Sequence, residues 1–261
     1  MTVKCLAKMI KANPQNSLSA QRDKLIFSKG ALAASVLMAG LLLTAPVPSF
    51  LMRSLHWQAT VFSTASAAFY FLFFILCRQI KKQVEILNSG LSGENRGVQL
   101  LKDLPANYTV VSDLNLQHNG YKSQIDHCVI GPNGIFLIET KNVAGVVSGR
   151  RESNNLVHSR KIKGGEVQRR ELYNPLKQVM GHARTVESIL KDAGVSAKVK
   201  PMVYFSNSYI RLNVNFHRGD AFVPGKGAEM LRYIVKYKCD DPMGPEEQER
   251  AKKALLACHQ K

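Results

Sequence analysis

Asp126, Glu139 and Lys141 follow the pattern D-x12-E-x-K inside an otherwise apolar stretch, SQIDHCVIGPNGIFLIETK, from Ser123 to Lys141. Two carboxylates and an amine so placed suit a hard divalent cation. Mg2+ or Mn2+ takes carboxylate oxygens, a backbone carbonyl and waters as its oxygen shell. Such an ion polarises a phosphoryl oxygen and lowers the pKa of a bound water, and a neighbouring lysine orients that water or stabilises developing negative charge. The chemistry implied is hydrolysis of a phosphodiester.

A β-hairpin must hold these groups. If GPNG (131 to 134) is a symmetric turn, Ile130 faces Ile135 and Asp126 lies opposite Glu139. Directly opposed residues share a face of the sheet, and like charges there repel. Lys141 shares that face because strand side chains alternate. Ile125, Val129, Phe136 and Ile138 make one face apolar, and Cys128, Ile130, Ile135 and Leu137 make the other apolar near the turn. The strands therefore read as central. An edge hairpin with its polar face in water is the bland alternative, and a bulge would separate the two carboxylates. His127 points away from Asp126 and reads as a packed structural histidine.

The flanking elements read as a mixed α/β domain. Ser92 can cap a helix through Glu94, Val98, Leu101 and Leu104, ended by Pro105. YTVVSDLNLQ is strand-like, and His118-Asn119-Gly120 is a hairpin turn. VAGVVSG and NLVHSRKIK are further strands. Asn174 caps a second helix, Pro175 fits its first position, and Leu176, Val179, Ala183, Val186 and Leu190 repeat at helical spacing until Gly194. VKPMVYFSN reads as a buried strand, and GPEEQERAKKALLACH as a short amphipathic helix.

Three blocks, GENRGVQLLKDLP, IDHCVIGPNGIFLIETKN and NPLKQVMGHARTVESIL, occur in this order. Together they resemble the NERD domain, a nuclease-related branch of the PD-(D/E)XK superfamily, over about residues 90 to 207. The resemblance implies a restriction-endonuclease-like central mixed sheet flanked by helices. It implies that Asp126 and Glu139 bind metal, that Lys141 is the lysine of the E-x-K element, and that Glu94 on the first helix helps complete the metal site. Gln178 matches the glutamine after the Asn-Pro block and would contact the site or the nucleic-acid backbone. Without the resemblance, Glu94 would be a favourable charge near a helix start, and Gln178 an ordinary surface residue. No P-loop is present, so an ATP-driven helicase in the same chain is unsupported.

Charge and hydropathy describe the setting. The 261 residues carry 36 Lys and Arg against 19 Asp and Glu, a formal net charge of +17. Residues 141 to 170 are rich in cations, and Arg150, Arg151, Arg160, Lys161, Lys163, Arg169 and Arg170 are expected to grip the phosphates of nucleic acid, DNA above all. A solvated basic face is the plainer reading. Two uncharged runs, 30 to 52 and 54 to 77, each reach the roughly 30 Å of a bilayer core as helices, so two transmembrane helices are expected. A signal peptide fits poorly, because a long polar, basic segment precedes the first run. Basic flanks before residue 30 and after residue 77 put the N-terminus and everything beyond residue 82 in the cytoplasm, beneath the cytoplasmic membrane. The five cysteines form no CxxC pair, which argues against a disulfide scaffold or a thiolate zinc site.

The expected organisation is a basic segment (1 to 29), a two-helix membrane hairpin (30 to 82), a nuclease-like domain (88 to 210) and a C-terminal extension with a short helix (211 to 261). The expected activity is Mg2+-dependent cleavage of DNA at the membrane. The alternative is a tethered nucleic-acid-binding or scaffold protein whose nuclease-like site has lost activity.

Overall fold

The computed structural model describes residues 6–12, 18–44, 56–162 and 164–259. The chain forms two compact units, Leu18–Ser89 on one hand and Met1–Ser17 with Gly90–Lys261 on the other.

The first unit is a helical hairpin. It contains α1 (Leu18–Thr44) and most of α2, a 46-residue helix over His56–Leu101. Arg22 donates to Asn88 and Lys29 to Gln83, so the two helices run antiparallel. Leu18–Leu42, with mean hydropathy 1.8 and only 11% of its apolar window buried, is the one helix among the described residues long and apolar enough to cross a membrane. That corrects the expectation of two spans. The second run, 54 to 77, lies partly outside the described residues. The same helix passes Ser92 without a break, so Ser92 is not a cap.

The second unit is built on a six-stranded mixed sheet in the order β1-β2-β3-β4-β8-β10. Its strands are β1 (Lys8–Lys11), β2 (Thr109–His118), β3 (Tyr121–Gly131), β4 (Gly134–Lys141), β8 (Val199–Phe205) and β10 (Ala221–Phe222). β2, β3 and β4 form the expected meander, with Asn119 and Gly120 at positive φ in the first turn. β1, β8 and β10 each run parallel to their neighbours. A second sheet, β7-β6-β5-β9, comprises β5 (Gly145–Gly149), β6 (Asn155–Lys161), β7 (Val167–Tyr173) and β9 (Ile210–Val214).

Helices cover both faces of the larger sheet. On one side α3 (Pro175–Asp192) buries Leu176, Val179, Val186 and Leu190, joined by Ala251 and Leu255 of α5 (Pro245–Ala257). On the other, Leu101 of α2 and Leu104 pack with Met230 and Ile234 of α4 (Gly227–Lys236). The result is the expected mixed sheet flanked by helices.

Two segments outside the expected bounds of 88 to 210 pack into the second unit. Residues 6–12 are not a separate basic segment, because β1 adds a parallel strand to β2 and Ala7 N–H donates to Leu104. Residues 211–259 are not an appendage, because they complete both sheets and place Phe222, Met230, Ile234, Met243, Ala251 and Leu255 in the cores. β1 and β10 are too short to be patterned on their own, and each gains its structure from a partner strand.

Asn174 is fully buried at the start of α3. Its Oδ1 accepts from Leu176 N–H, and its Nδ2 donates to the carbonyls of Arg151 and Ser153. It is both the expected cap and a tie to the second sheet. Asn174→Ala takes this partner from two part-buried carbonyls and one buried amide and should lower unfolding free energy by about 1–3 kcal/mol, read by chemical denaturation.

Candidate active site

The turn between β3 and β4 has the expected register: Ile130 faces Ile135, and the pairing runs back to His127 opposite Ile138. There it stops. Asp126 and Glu139 do not pair across the ladder. Instead Asp126 Oδ2 accepts a hydrogen bond from Thr140 N–H at 2.7 Å. β4 continues beyond this point against β8, with Glu139, Thr140 and Lys141 beside Val203, Tyr204 and Phe205. On the other side of β3 the β2 ladder skips one position between Ser112·His127 and Leu114·Ile125. The skipped residue is Asp113, held at φ 57°, a conformation uncommon for any residue but glycine. The strands thus part where the acids lie.

Glu139 is almost completely buried, and its charge is met by Lys141, whose Nζ donates to Glu139 Oε1 at 2.6 Å and to Gln178 Oε1 at 3.1 Å. Gln178 reaches the lysine because Asn174 starts α3 one turn earlier, and Gln178 N–H donates to the Asn174 carbonyl. His182, one further turn along α3, also faces this pair. Its Nε2 is buried without a hydrogen-bond partner, and burial lowers its pKa, opposed by the charge of Glu139.

Glu94 arrives from the opposite direction on α2. Gly93 and Gly97 flank it one helical turn apart. A Cβ at Gly97 would stand 2.6 Å from His127 Nε2, and one at Gly93 would stand 2.8 Å from Asn142 Cβ. Only glycine lets the helix approach this closely. Arg96 fastens the same turn by donating to the Ser206 carbonyl at 2.8 Å. Glu94 then lines a cavity of about 250 Å3 with Asp113, Asp126, His127, Ser112 and Lys11.

The electrostatics of this cavity are those of crowded acids. Burial first, then Asp113, pushes the Glu94 carboxyl up to about 7, with Glu139 adding to the rise and Lys11 opposing it. Asp126 keeps some exposed surface, yet the protein packed around its carboxyl, followed by the charge of Glu139, holds its pKa well above the carboxylate range. The Thr140 amide and Lys141 pull it back, and Glu94 pushes it further. Burial likewise raises Asp113, whose Oδ2 is buried without a partner. His127 is fully buried, pairs with Ser112 Oγ at 3.0 Å, and is lowered to about 4 by burial, so it stays neutral as the packed histidine expected.

Glu94, Asp126, Glu139, Lys141 and Gln178, expected from sequence, are therefore brought into one region. Asp113, Lys11 and His182 join them unexpectedly. Only His182 left a sequence signal, its position four residues after Gln178. The acids are all oxygen donors with excess negative charge, which fits a hard cation. Among the described residues, however, no three His, Cys, Asp or Glu side chains converge as a ready-made metal set. Lys141 and Thr140 hold oxygens that an ion would use.

The basic residues divide. Arg151 is bound to the buried Asp220, Nε to Oδ2 at 2.6 Å, and so serves the fold and is not free to grip phosphate. Arg150, Arg160, Lys161, Arg169 and Arg170 are exposed. Strand alternation places Arg160 and Arg170 on one face of the smaller sheet and Lys161 and Arg169 on the other. They are not a single surface. Lys163 lies outside the described residues.

A hairpin with a carboxylate, an E-x-K element and a glutamine from the following helix can now be set beside known proteins. Residues 89–206 match the family described as NERD, nuclease-related domain. That span includes Glu94, Asp113, Asp126, Glu139, Lys141, Gln178 and His182, while Lys11 and everything after Ser206 lie outside it. Over 104 residues, 39% of this chain, the sequence is 29% identical to an uncharacterized protein of Bacillus anthracis. The aligned stretch covers 47% of that relative, about half its length. No solved structure matches the chain.

The raised pKa of Glu94 has a definite sign for stability. The folded chain keeps this proton up to about pH 7, whereas the unfolded chain releases it near 4.5. Its contribution favours folding at low pH and is lost as pH rises from 4.5 through 7. With chelator present, Glu94→Gln should be more stable than wild type at pH 8 by about 1–3 kcal/mol, after allowance for partial exposure, and equal to it at pH 4. Denaturant melts at the two pH values check this.

Proposed function

We propose that the chain is a membrane-anchored, metal-dependent nuclease that hydrolyses phosphodiester bonds of DNA on the cytoplasmic side. The observation that carries this reading is that Glu94, Asp126 and Glu139 feel one another's charge, with Lys141 bound to Glu139, in a stretch matching a nuclease-related family. Asp126 and Glu139 would hold Mg2+ or Mn2+, with Glu94 in support. The ion would supply Lewis acidity toward a phosphoryl oxygen and a more acidic bound water.

The protein's own groups do the remaining work. Lys141, steadied by Gln178, places a positive charge where negative charge grows on the phosphate oxygens. Thr140 N–H fixes the Asp126 carboxylate, so this acid needs no reorganisation during reaction. Without a cation, burial holds the Glu94 proton up to about pH 7, so this carboxyl would exchange its proton for the ion on loading. Arg150, Arg160 and Arg170, together with Lys161 and Arg169, offer phosphate contacts on the smaller sheet, on two faces. The apolar helix Leu18–Leu42 would tether the enzyme, and its basic flank supports the cytoplasmic placement.

The decisive assay uses the purified full-length protein with linear, circular and single-stranded DNA, with Mg2+ and with chelator. Cleavage should need the metal. Asp126→Asn and Lys141→Ala should each reduce it by about 100-fold or more while leaving the folded spectrum unchanged. Undiminished cleavage by either variant would refute the assignment. DNA binding without cleavage by the wild type would identify a tethered binding protein instead.

A further inference from the structure

A second cavity, about 710 Å3 in volume, lies in the part of the chain beyond the nuclease-related match. Its floor is aromatic. Phe222 on β10, Tyr233 on α4 and Tyr237 at the end of α4 follow one another with ring centroids 5.8 Å apart, and Phe136 continues the row 5.4 Å from Tyr237. Gly219 makes this row possible: a Cβ there would fall 2.2 Å from Tyr233 Cζ, and its φ of +92° suits glycine alone. Tyr233 and Tyr237 stay partly exposed toward the cavity.

Its rim is cationic. Arg218 comes from the loop before β10, Arg232 and Lys236 from successive turns of α4, and Lys238 from beyond the helix end. All four are exposed, and among the described residues none forms an ion pair with a carboxylate. The one acid on the rim, Glu229, is engaged by Lys226 at 3.7 Å. A solvated basic helix face would not draw cations from three segments around shared aromatic rings.

This cavity shares no lining residue with the one beside Glu94 and Asp126. Phe222 pairs with Tyr204, and Tyr204 with Thr140, so all three point to one face of the larger sheet. Glu139 and Lys141 point to the other. β10 stands two strands from β4, roughly 10 Å across the sheet.

Aromatic rings with several unpaired cations, in a cavity of small-molecule size, match a ligand with a planar heterocycle and phosphate charge. We infer that this cavity binds a nucleoside phosphate, either free or as one unit of a strand, with the base against Tyr233 and Tyr237 and phosphate against Arg218, Arg232 and the two lysines. Binding here does not depend on cleavage at the carboxylates.

Fluorescence anisotropy on the full-length protein in chelator tests it, with fluorescein-labelled decathymidylate and fluorescent ADP as probes. Arg218→Glu/Arg232→Glu should weaken binding by about 10-fold or more with an unchanged unfolding transition. Lys122→Glu/Lys191→Glu, which reverses the same amount of charge elsewhere on the surface, should change affinity by no more than about 2-fold. Tyr237→Leu should weaken binding at salt high enough to screen the cations. Binding is read in chelator, so loss of cleavage by Asp126→Asn leaves this inference standing. Binding of the oligonucleotide but not ADP assigns the cavity to a strand, and binding of both assigns it to the nucleotide unit. Equal effects of the two charge reversals would overturn the inference, as would binding of phosphatidylserine vesicles with neither probe bound.

Discussion

The hydrogen bond from Thr140 N–H to the Asp126 carboxylate decides where the central hairpin stops being a sheet. A ladder continued by one more pair would set Asp126 and Glu139 side by side at strand spacing, with no means of separating their charges. By taking a backbone donor, the carboxylate satisfies an amide that its own strand leaves open, and it stays fixed at the fork. β4 is meanwhile held by β8, so Glu139 and Lys141 remain on an ordered strand although β3 has turned away. The bulge at Asp113 does the same on the β2 side. Two interrupted ladders meeting at β3 make the opening that the acids line.

What fills that opening is set by helices from both faces. α3 is anchored by the buried Asn174 and delivers Gln178 and His182 toward Lys141. α2 approaches through Gly93 and Gly97 and delivers Glu94 toward Asp113 and Asp126. The charges are unevenly met: Lys141 answers Glu139 directly, while Lys11, from the first strand, moderates Glu94. The remaining negative potential is the physical basis for proposing a cation there. Burial first, and then this crowding of charge, raises the pKa values of Glu94 and Asp126.

The strong basicity of the chain resolves into distinct places once the fold is known. The run from Arg150 to Arg170 is split by strand alternation, and Arg151 is withdrawn to neutralise the buried Asp220. Cations that drew no notice in the sequence, Arg218, Arg232, Lys236 and Lys238, gather instead around aromatic rings. Sequence proximity of charges was therefore a poor guide to surface proximity, because a strand sends neighbours to opposite faces.

Much of the site was legible in the residues themselves. Alternating apolar positions around GPNG specify the hairpin and its register, and Asn174-Pro175 with the repeat through Leu190 specifies α3, because these are local patterns of period two and 3.6. The resemblance to nuclease-related domains added Glu94 and Gln178. The sequence alone did not contain the fork at Asp126, since a side chain's competition for Thr140 N–H depends on how β3 leaves β4 in three dimensions. Nor did it contain Lys11, Asp113 or His182 as neighbours of the acids, or the cavity rimmed by Arg218 and Arg232. β1 and β10 are too short for a periodic pattern, and α4, though amphipathic, does not name in sequence the distant residues it packs against.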